Sequence, residues 1–202
     1  MSNQLFLTKE LINLSMFYYN DYSKDSNNRF IPSFIHPVTC AGMALEDNKK
    51  IDLTDRFIVS KALLFHDIPK KTTISIKRLH NDMIDIFNKH YDNHLKSKIG
   101  EKTIVINKIL ELIFLSNKIS DDNFRKIKNY ENMPELFWYM KMIDLYQYVI
   151  SNKESLRQNG ELDSYLKLLS YILYQISSSV FKISSWFINA KHLLKKHSIS
   201  FS

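Results

Sequence analysis

The chain of 202 residues is long enough to bury a sizeable core, and its length suits a single domain. Its 3 glycines and 4 prolines are too few for the many tight turns of a β-sandwich or barrel, whereas 45% hydrophobic and 24% charged residues are ordinary for a globular protein. The net charge of +7 suits an anionic partner such as a nucleotide, but the positive charge is spread along the chain, so we do not expect nucleic-acid binding.

The single cysteine, Cys40, excludes an internal disulfide and fits a reducing compartment. The first residues lack the basic and apolar segments of a signal peptide. The longest uncharged run, residues 168–181, is too short to span a bilayer. We therefore expect a cytoplasmic protein without a membrane partner.

Helical periodicity recurs along the chain and predicts an all-α bundle of about eight or nine helices. The first predicted helix covers about residues 4–19, and the polar residues 21–32 are predicted to form a loop without strands. The second predicted helix begins near residue 37. Further predicted helices cover about residues 54–65, 76–99 (one helix or a pair), 103–115 and 135–150. Two further helices complete the prediction.

Two of the predicted helix ends carry histidine. His36 precedes Pro37, which fits the first turn of a helix because its missing N–H is harmless there. His66 and Asp67 follow an apolar run, and Pro69 favours a helix end just before it. An imidazole and a carboxylate that converge there could bind a divalent metal, although a structural His–Asp hydrogen bond would explain the pair equally well.

The predicted helix over residues 135–150 is apolar on nearly all faces, which is typical of a buried helix. Asp144 lies in its middle, and an ionised carboxylate there is costly unless it is paired or binds a metal. Together with His36, His66 and Asp67 it gives two imidazoles and two carboxylates, a set that suits Mn²⁺, Fe²⁺ or Zn²⁺. Such a metal would lower the pKa of a bound water and polarise a phosphate.

The order His, His-Asp, Asp resembles the signature of the HD phosphohydrolase superfamily. The segment Phe-Ile-His-Pro at residues 34–37, preceded by Pro32, is similar to P-Y-I-x-H-P of the RelA/SpoT hydrolase domain. Residues 62–68 resemble its A-A-L-L-H-D motif, residues 115–118 its V-T-x-K motif, and residues 141–144 its K-L-A-D motif. The resemblance covers roughly residues 5–150. The chain length fits the stand-alone small alarmone hydrolases.

The resemblance implies a single HD-type domain with Mn²⁺ as cofactor. The implied metal ligands are His36, His66, Asp67 and Asp144. The implied reaction is removal of the 3′-pyrophosphate from guanosine tetra- or pentaphosphate, and guanosine tetraphosphate is the favoured substrate. By position, the resemblance also suggests substrate contacts at Lys118, Gln147, Lys24 and Arg29.

Lys70 and Lys71 replace the acidic pair that handles the attacking water in the family. A lysine is a poor base at neutral pH but a good partner for phosphate. We therefore expect Lys70 and Lys71 to act on the substrate, with Asp67 as the base. Three functions stay open: a slow alarmone hydrolase, an HD phosphatase for another nucleotide, and a nucleotide-binding module that has lost catalysis.

The other histidines and the cysteine are expected to have no metal role. His90 and His94 are four residues apart on a predicted helix, but the glutamate of a zinc protease motif is missing and their surroundings are polar. Cys40 is expected in the core. Surface positions are expected for His80, His192 and His197.

Overall fold

The computed structural model describes residues 3–20, 22–24, 30–118 and 133–200, and these residues form an all-α protein. The helices are α1 (Asn3–Tyr18), α2 (Ile35–Glu46), α3 (Leu53–Phe65), α4 (Ile68–Lys71), α5 (Ile76–His90), α6 (Asn93–Ile99), α7 (Lys102–Lys118), α8 (Glu135–Gln158), α9 (Leu162–Gln175) and α10 (Ser185–Lys196). A 3₁₀ helix, Val180–Ile183, precedes α10. The predicted all-α class is confirmed. Within the described ranges nine helices have at least seven residues, and α4 is a single turn of four.

One short hairpin joins α1 to α2. Tyr22–Lys24 (β1) pairs antiparallel with Phe30–Pro32 (β2), and Tyr22 lies opposite Pro32. The sequence predicted only a loop here, because three residues are too few to show the alternation of a strand. The structure therefore adds a pairing at the two ends of that loop.

Most helix boundaries lie where local signals placed them. Pro37 lies in the first turn of α2, and α3 ends at Phe65. Gly100 follows α6 with a φ of 100°, a conformation that favours glycine. The predicted long polar helix is a pair, α5 and α6, and Asp92 caps the second helix by accepting a hydrogen bond from the Leu95 N–H at 2.9 Å.

Helix α3 lies at the centre of the core and contacts α1, α2, α6, α7 and α8. Every residue from 57 to 65 on α3 is buried, and so is every residue from 137 to 145 on α8. The buried apolar residues form one continuous core cluster. Each large aliphatic side chain in it contributes roughly 1.5–3 kcal/mol of hydrophobic stabilisation. Polar side chains within these two buried segments, such as Lys61 and Asp144, are therefore shielded from water.

Among the helices of the described ranges, α8 is the longest, with 24 residues, and it continues past its predicted end at residue 150. Its last two turns are mostly polar, so the apolar pattern that defined the prediction ends before the helix does. Within the described ranges, no helix has both the length and the apolar composition of a membrane span.

A buried carboxylate, Asp47, joins the end of α2 to α8 and to the start of α10. Asp47, after α2, accepts hydrogen bonds from the hydroxyls of Tyr139 at 2.6 Å and Ser184 at 2.5 Å. It also accepts from the backbone N–H groups of Ser185 at 2.8 Å and Asn48 at 2.6 Å. This network fixes the end of α2 against α8 and the start of α10.

A buried lysine joins α3 to α1. The side chain of Lys61 is fully buried, and its Nζ donates a hydrogen bond to Thr8 Oγ1 at 3.0 Å. The ammonium also lies 4.9 Å from the ring centre of Phe57. Burial lowers the pKa of Lys61 to about 7.

Candidate metal centre

The fold brings the four predicted ligands together from three parts of the chain. His36 lies in the first turn of α2, His66 and Asp67 form the turn after α3, and Asp144 lies within α8. Asp144 Oδ1 is 2.9 Å from His36 Nε2 and 3.3 Å from His66 Nε2. Asp67 Oδ1 is 3.4 Å from His66 Nε2. Ligand atoms about 2.1 Å from one ion are roughly 3.0 Å (octahedral) to 3.4 Å (tetrahedral) apart, and each of these three separations is near that range. Among the described residues, however, no three of the four predicted ligands have ligand atoms that all lie within 4.8 Å of one another, so one shared ion would require these side chains to move closer.

Each histidine directs Nε2 to the centre because its Nδ1 has another partner. His66 Nδ1 is 2.8 Å from the Leu63 carbonyl oxygen, which can only accept, so Nδ1 carries the hydrogen. His36 Nδ1 contacts Gln147 Oε1, and Gln147 Nε2 donates to Ser151 Oγ at 2.8 Å. Histidines that bind metals are commonly oriented in this way by a hydrogen bond at the second nitrogen.

The second oxygen of each carboxylate is held by a lysine. Lys71 Nζ lies 2.6 Å from Asp67 Oδ2, and Lys141 Nζ lies 2.5 Å from Asp144 Oδ2. Lys71 is half-exposed, whereas Lys141 is buried within α8. Each carboxylate therefore keeps one oxygen, Oδ1, for the centre.

These contacts favour ionised carboxylates. Burial raises the pKa of Asp67, but the positive charges of His66 and Lys71 outweigh burial and lower it to about 2. Burial likewise raises the pKa of Asp144, and the charges of Lys141 and His66 hold it well below its ordinary value.

The same carboxylates favour protonated imidazoles. Burial lowers the pKa of His36, but the hydrogen bond to Asp144 raises it to about 10. Burial also lowers the pKa of His66, but the charges of Asp67 and Asp144 outweigh burial and raise it. A metal would have to displace these protons, so its affinity should fall at low pH.

Cys40 lies one turn after His36 on α2 and is fully buried beside the centre. His36, Cys40 and Asp144 form the one triad in the described part of the chain whose possible ligand atoms all lie within 4.8 Å of one another. However, Cys40 Sγ is 3.7 Å from His36 Nδ1 and 3.9 Å from Nε2. A sulfur nearly equidistant from both nitrogens does not lie along the lone pair of either one. We therefore interpret Cys40 as a packing residue for His36.

Two residues next to the centre were not predicted from the sequence. Tyr19, just after α1, accepts a hydrogen bond from the Asp67 N–H at 3.2 Å, and no sequence pattern marks it. Burial and the charge of Asp67 raise its pKa well above the ordinary value. Asn117, near the end of α7, donates to the His66 carbonyl oxygen at 3.1 Å. It lies in the Leu-Ser-Asn-Lys segment, where the motif resemblance marks the neighbouring Lys118 rather than Asn117.

The predicted substrate contacts differ in burial and in their partners. Gln147 is buried, and its amide is bonded to His36 and Ser151. Lys118 is exposed at the end of α7, with its ammonium 4.6 Å from the Phe114 ring centre. Lys70 is exposed on α4. Their roles toward a substrate stay predictions.

Two other predicted contacts cannot be compared with the site. The backbone of Lys24 belongs to β1, but its side chain is not among those described, and Arg29 lies outside the described residues altogether. His90 and His94 are not on one helix as expected. His90 ends α5 and His94 lies in α6, because the chain breaks its helix at residues 91–92.

No protein-family model matches the sequence, and no curated protein matches it at a significant level. The resemblance to HD phosphohydrolases therefore rests on the motif residues alone. The distances between side chains around His66 and Asp144 do not depend on this resemblance, so they are separate information about what the site could bind.

Proposed function

We propose that the chain is a metal-dependent phosphohydrolase of the HD type that acts on a phosphorylated nucleotide. The supporting observation is the convergence of His36, His66, Asp67 and Asp144, of which the first and last are 108 residues apart in sequence. Buried ionisable groups are uncommon unless they are paired or bind a metal. His66 and Asp144 are buried, and His36 and Asp67 are partly buried beside them, so the cluster suggests a site.

We infer Mn²⁺ as the ion, with Fe²⁺ and Zn²⁺ as alternatives for the same nitrogen and oxygen donors. His36 and His66 would each offer Nε2, and Asp67 and Asp144 would each offer Oδ1. The ion would supply the polarisation of a phosphate and a water of lowered pKa. Four protein ligands leave room in a six-coordinate shell for substrate oxygens.

The lysines beside the His-Asp turn support a phosphate substrate. Lys70 and Lys71 lie on α4, and Lys71 already contacts the Asp67 carboxylate at 2.6 Å. Ammonium groups bind phosphate as point charges. The net charge of +7 favours the approach of an anion. We favour guanosine tetraphosphate because of the motif resemblance.

A second candidate is a nucleotide-binding module with little or no turnover. The ion pair between Lys71 and Asp67 favours it, because a lysine now stands where the family has an acid. A carboxylate with a pKa of about 2 is a weak base. In this case phosphate binding would be kept while hydrolysis is slow.

We also infer a cytoplasmic location. Cys40 is a buried free thiol, which is compatible with a reducing compartment.

The test is a panel of phosphorylated nucleotides incubated with Mn²⁺-loaded protein, with products separated by chromatography. We expect guanosine tetraphosphate and water to give guanosine diphosphate and pyrophosphate. Asp144→Asn should lose at least about 10²-fold in rate, the scale of loss when a residue supporting a bound metal is changed. Asp85→Asn, an exposed change on α5, should keep the wild-type rate.

The same panel separates the alternatives. Products from a different nucleotide would indicate another HD phosphatase, and tight nucleotide binding without products would indicate the binding module. If no nucleotide in the panel binds and none gives products, the proposed function is contradicted.

A further inference from the structure

Tyr19 lies where the end of α1 meets the end of α3. Ser15 Oγ donates a hydrogen bond to the Leu64 carbonyl oxygen at 2.8 Å and fixes α1 against α3. The Tyr19 side chain is 2% exposed, and its oxygen accepts the Asp67 N–H at 3.2 Å. The phenol oxygen is therefore held against the backbone of a candidate metal ligand.

The hydroxyl of Tyr19 also has a hydrogen to donate. Among the residues that the structure describes, none accepts a hydrogen bond from it, although Asp67 donates to its oxygen. A buried donor normally has a partner, either from the protein or from a bound molecule. The unused donor next to Asp67 therefore suggests a ligand with acceptor oxygens.

We propose that Tyr19 donates a hydrogen bond to a phosphate oxygen of the substrate when that phosphate binds at the metal centre. This inference rests on the proposed function and adds a binding residue that no motif contains. A phosphate brings several charged acceptor oxygens to the position beside Asp67. A hydrogen bond to a charged acceptor is stronger than one to water, so phosphate is the better partner.

Tyr18 provides a matched control one residue away. Its hydroxyl donates a hydrogen bond to Asp82 on α5, so it already has an acceptor. Tyr18→Phe and Tyr19→Phe remove the same group from neighbouring positions. Only the second removes the donor beside Asp67.

The experiment titrates inorganic phosphate into the full-length, Mn²⁺-saturated protein by calorimetry, after Mn²⁺ affinity has been measured separately. We expect Tyr19→Phe to weaken phosphate binding about tenfold or more, the value of one hydrogen bond to a charged acceptor. The Mn²⁺ affinity of Tyr19→Phe should match that of the wild type. The control Tyr18→Phe should also match the wild type. Replacement of Tyr19 by 4-aminophenylalanine, which restores an N–H donor, should recover phosphate binding.

Equal phosphate affinity in Tyr19→Phe and wild type would overturn the inference, because Tyr19 would then only hold the Asp67 backbone. A parallel loss of Mn²⁺ and phosphate binding would also overturn it, since Tyr19 would act through Asp67. If Tyr19→Phe does not fold, the titration uses the protein with 4-aminophenylalanine at position 19 instead. Weak phosphate binding by that folded protein would also overturn the inference. A wild-type protein that binds no Mn²⁺ would instead contradict the proposed function itself.

Discussion

Lys71 Nζ lies 2.6 Å from Asp67 Oδ2, so this lysine forms an ion pair with a candidate metal ligand. The two residues are four apart, and the helical turn of α4 brings them together. The pair leaves Asp67 Oδ1 next to His66 Nε2 at 3.4 Å. An ionised Asp67 suits a cation, but its low pKa makes it a weak base at neutral pH.

The double change Lys70→Glu, Lys71→Asp should raise the turnover of guanosine tetraphosphate with Mn²⁺ and weaken phosphate binding. The added acids can orient or deprotonate water, a role worth about 10²–10⁴-fold in rate, while two phosphate-attracting charges are lost. Steady-state kinetics and phosphate titration measure the two effects. Lys77→Glu, an exposed change on α5, is the control. Rapid hydrolysis by the wild type that the double change abolishes would mean that the lysines are themselves catalytic.

Mn²⁺ should stabilise the folded chain, since the unfolded chain has little affinity for it. At a free Mn²⁺ concentration of about 100 times the Kd, the free energy of unfolding should increase by about 2.7 kcal/mol. For a chain of this size, that increase corresponds to a rise in Tm of roughly 5–10 °C. Asp144→Asn should remove most of the rise, and Asp85→Asn should keep it. Thermal melts with metal and with chelator measure the effect. Identical wild-type melts in both conditions would contradict a metal site.

Lys61→Met should remove a pH dependence of stability. The pKa of Lys61 is about 7 in the folded protein against an ordinary 10.5, so between these values the unfolded chain binds one more proton. Wild-type stability should therefore gain up to about 1.4 kcal/mol per pH unit from this group as the pH rises through that window. The penalty for the buried ammonium is largest at pH 7 and below, where Lys61→Met should be the more stable protein.

Urea unfolding at several pH values between about 7 and 9 measures the difference between Lys61→Met and wild type. The exposed change Lys77→Met is the control for loss of a charge. Parallel pH profiles for Lys61→Met and wild type would show that Lys61 stays protonated in the folded protein, contrary to the lowered pKa.

Tyr139→Phe should destabilise the fold without affecting metal binding. Its hydroxyl donates to the buried Asp47 at 2.6 Å, and losing one hydrogen bond to a buried charge costs about 1–3 kcal/mol. The free energy of unfolding in urea measures the cost. Tyr174→Phe is a matched control because Tyr174 is 56% exposed. A cost as small as that of the control would mean that the Ser184 and backbone donors satisfy Asp47 by themselves.

The helices, and the burial of Asp144 within one of them, could be predicted because their signals are local. Pro37 and Gly100 mark helix ends through their backbone preferences. Asp144 stood out because a charge within an apolar helix needs a partner. These signals are readable in a single segment of sequence, and the structure places the corresponding residues accordingly.

The supporting residues could not be predicted because their partners are distant in sequence. Tyr19 is 48 residues from Asp67, and Asn117 is 51 residues from His66. Such pairs depend on how α1 and α7 pack against α3, which helical periodicity does not fix. The pair of Lys71 with Asp67 could not be predicted for a different reason. Helix α4 is a single turn of four residues, which is too short to show the helical periodicity that would predict this i,i+4 contact.

The most direct test of the central claim is anomalous diffraction at the manganese absorption edge from crystals grown with Mn²⁺. We predict one strong peak about 2.0–2.2 Å from His36 Nε2, His66 Nε2 and one oxygen each of Asp67 and Asp144. Cys40 Sγ should lie beyond bonding distance. A manganese peak at another group of residues, or none within reach of Asp144 and His66, would contradict the proposed metal centre.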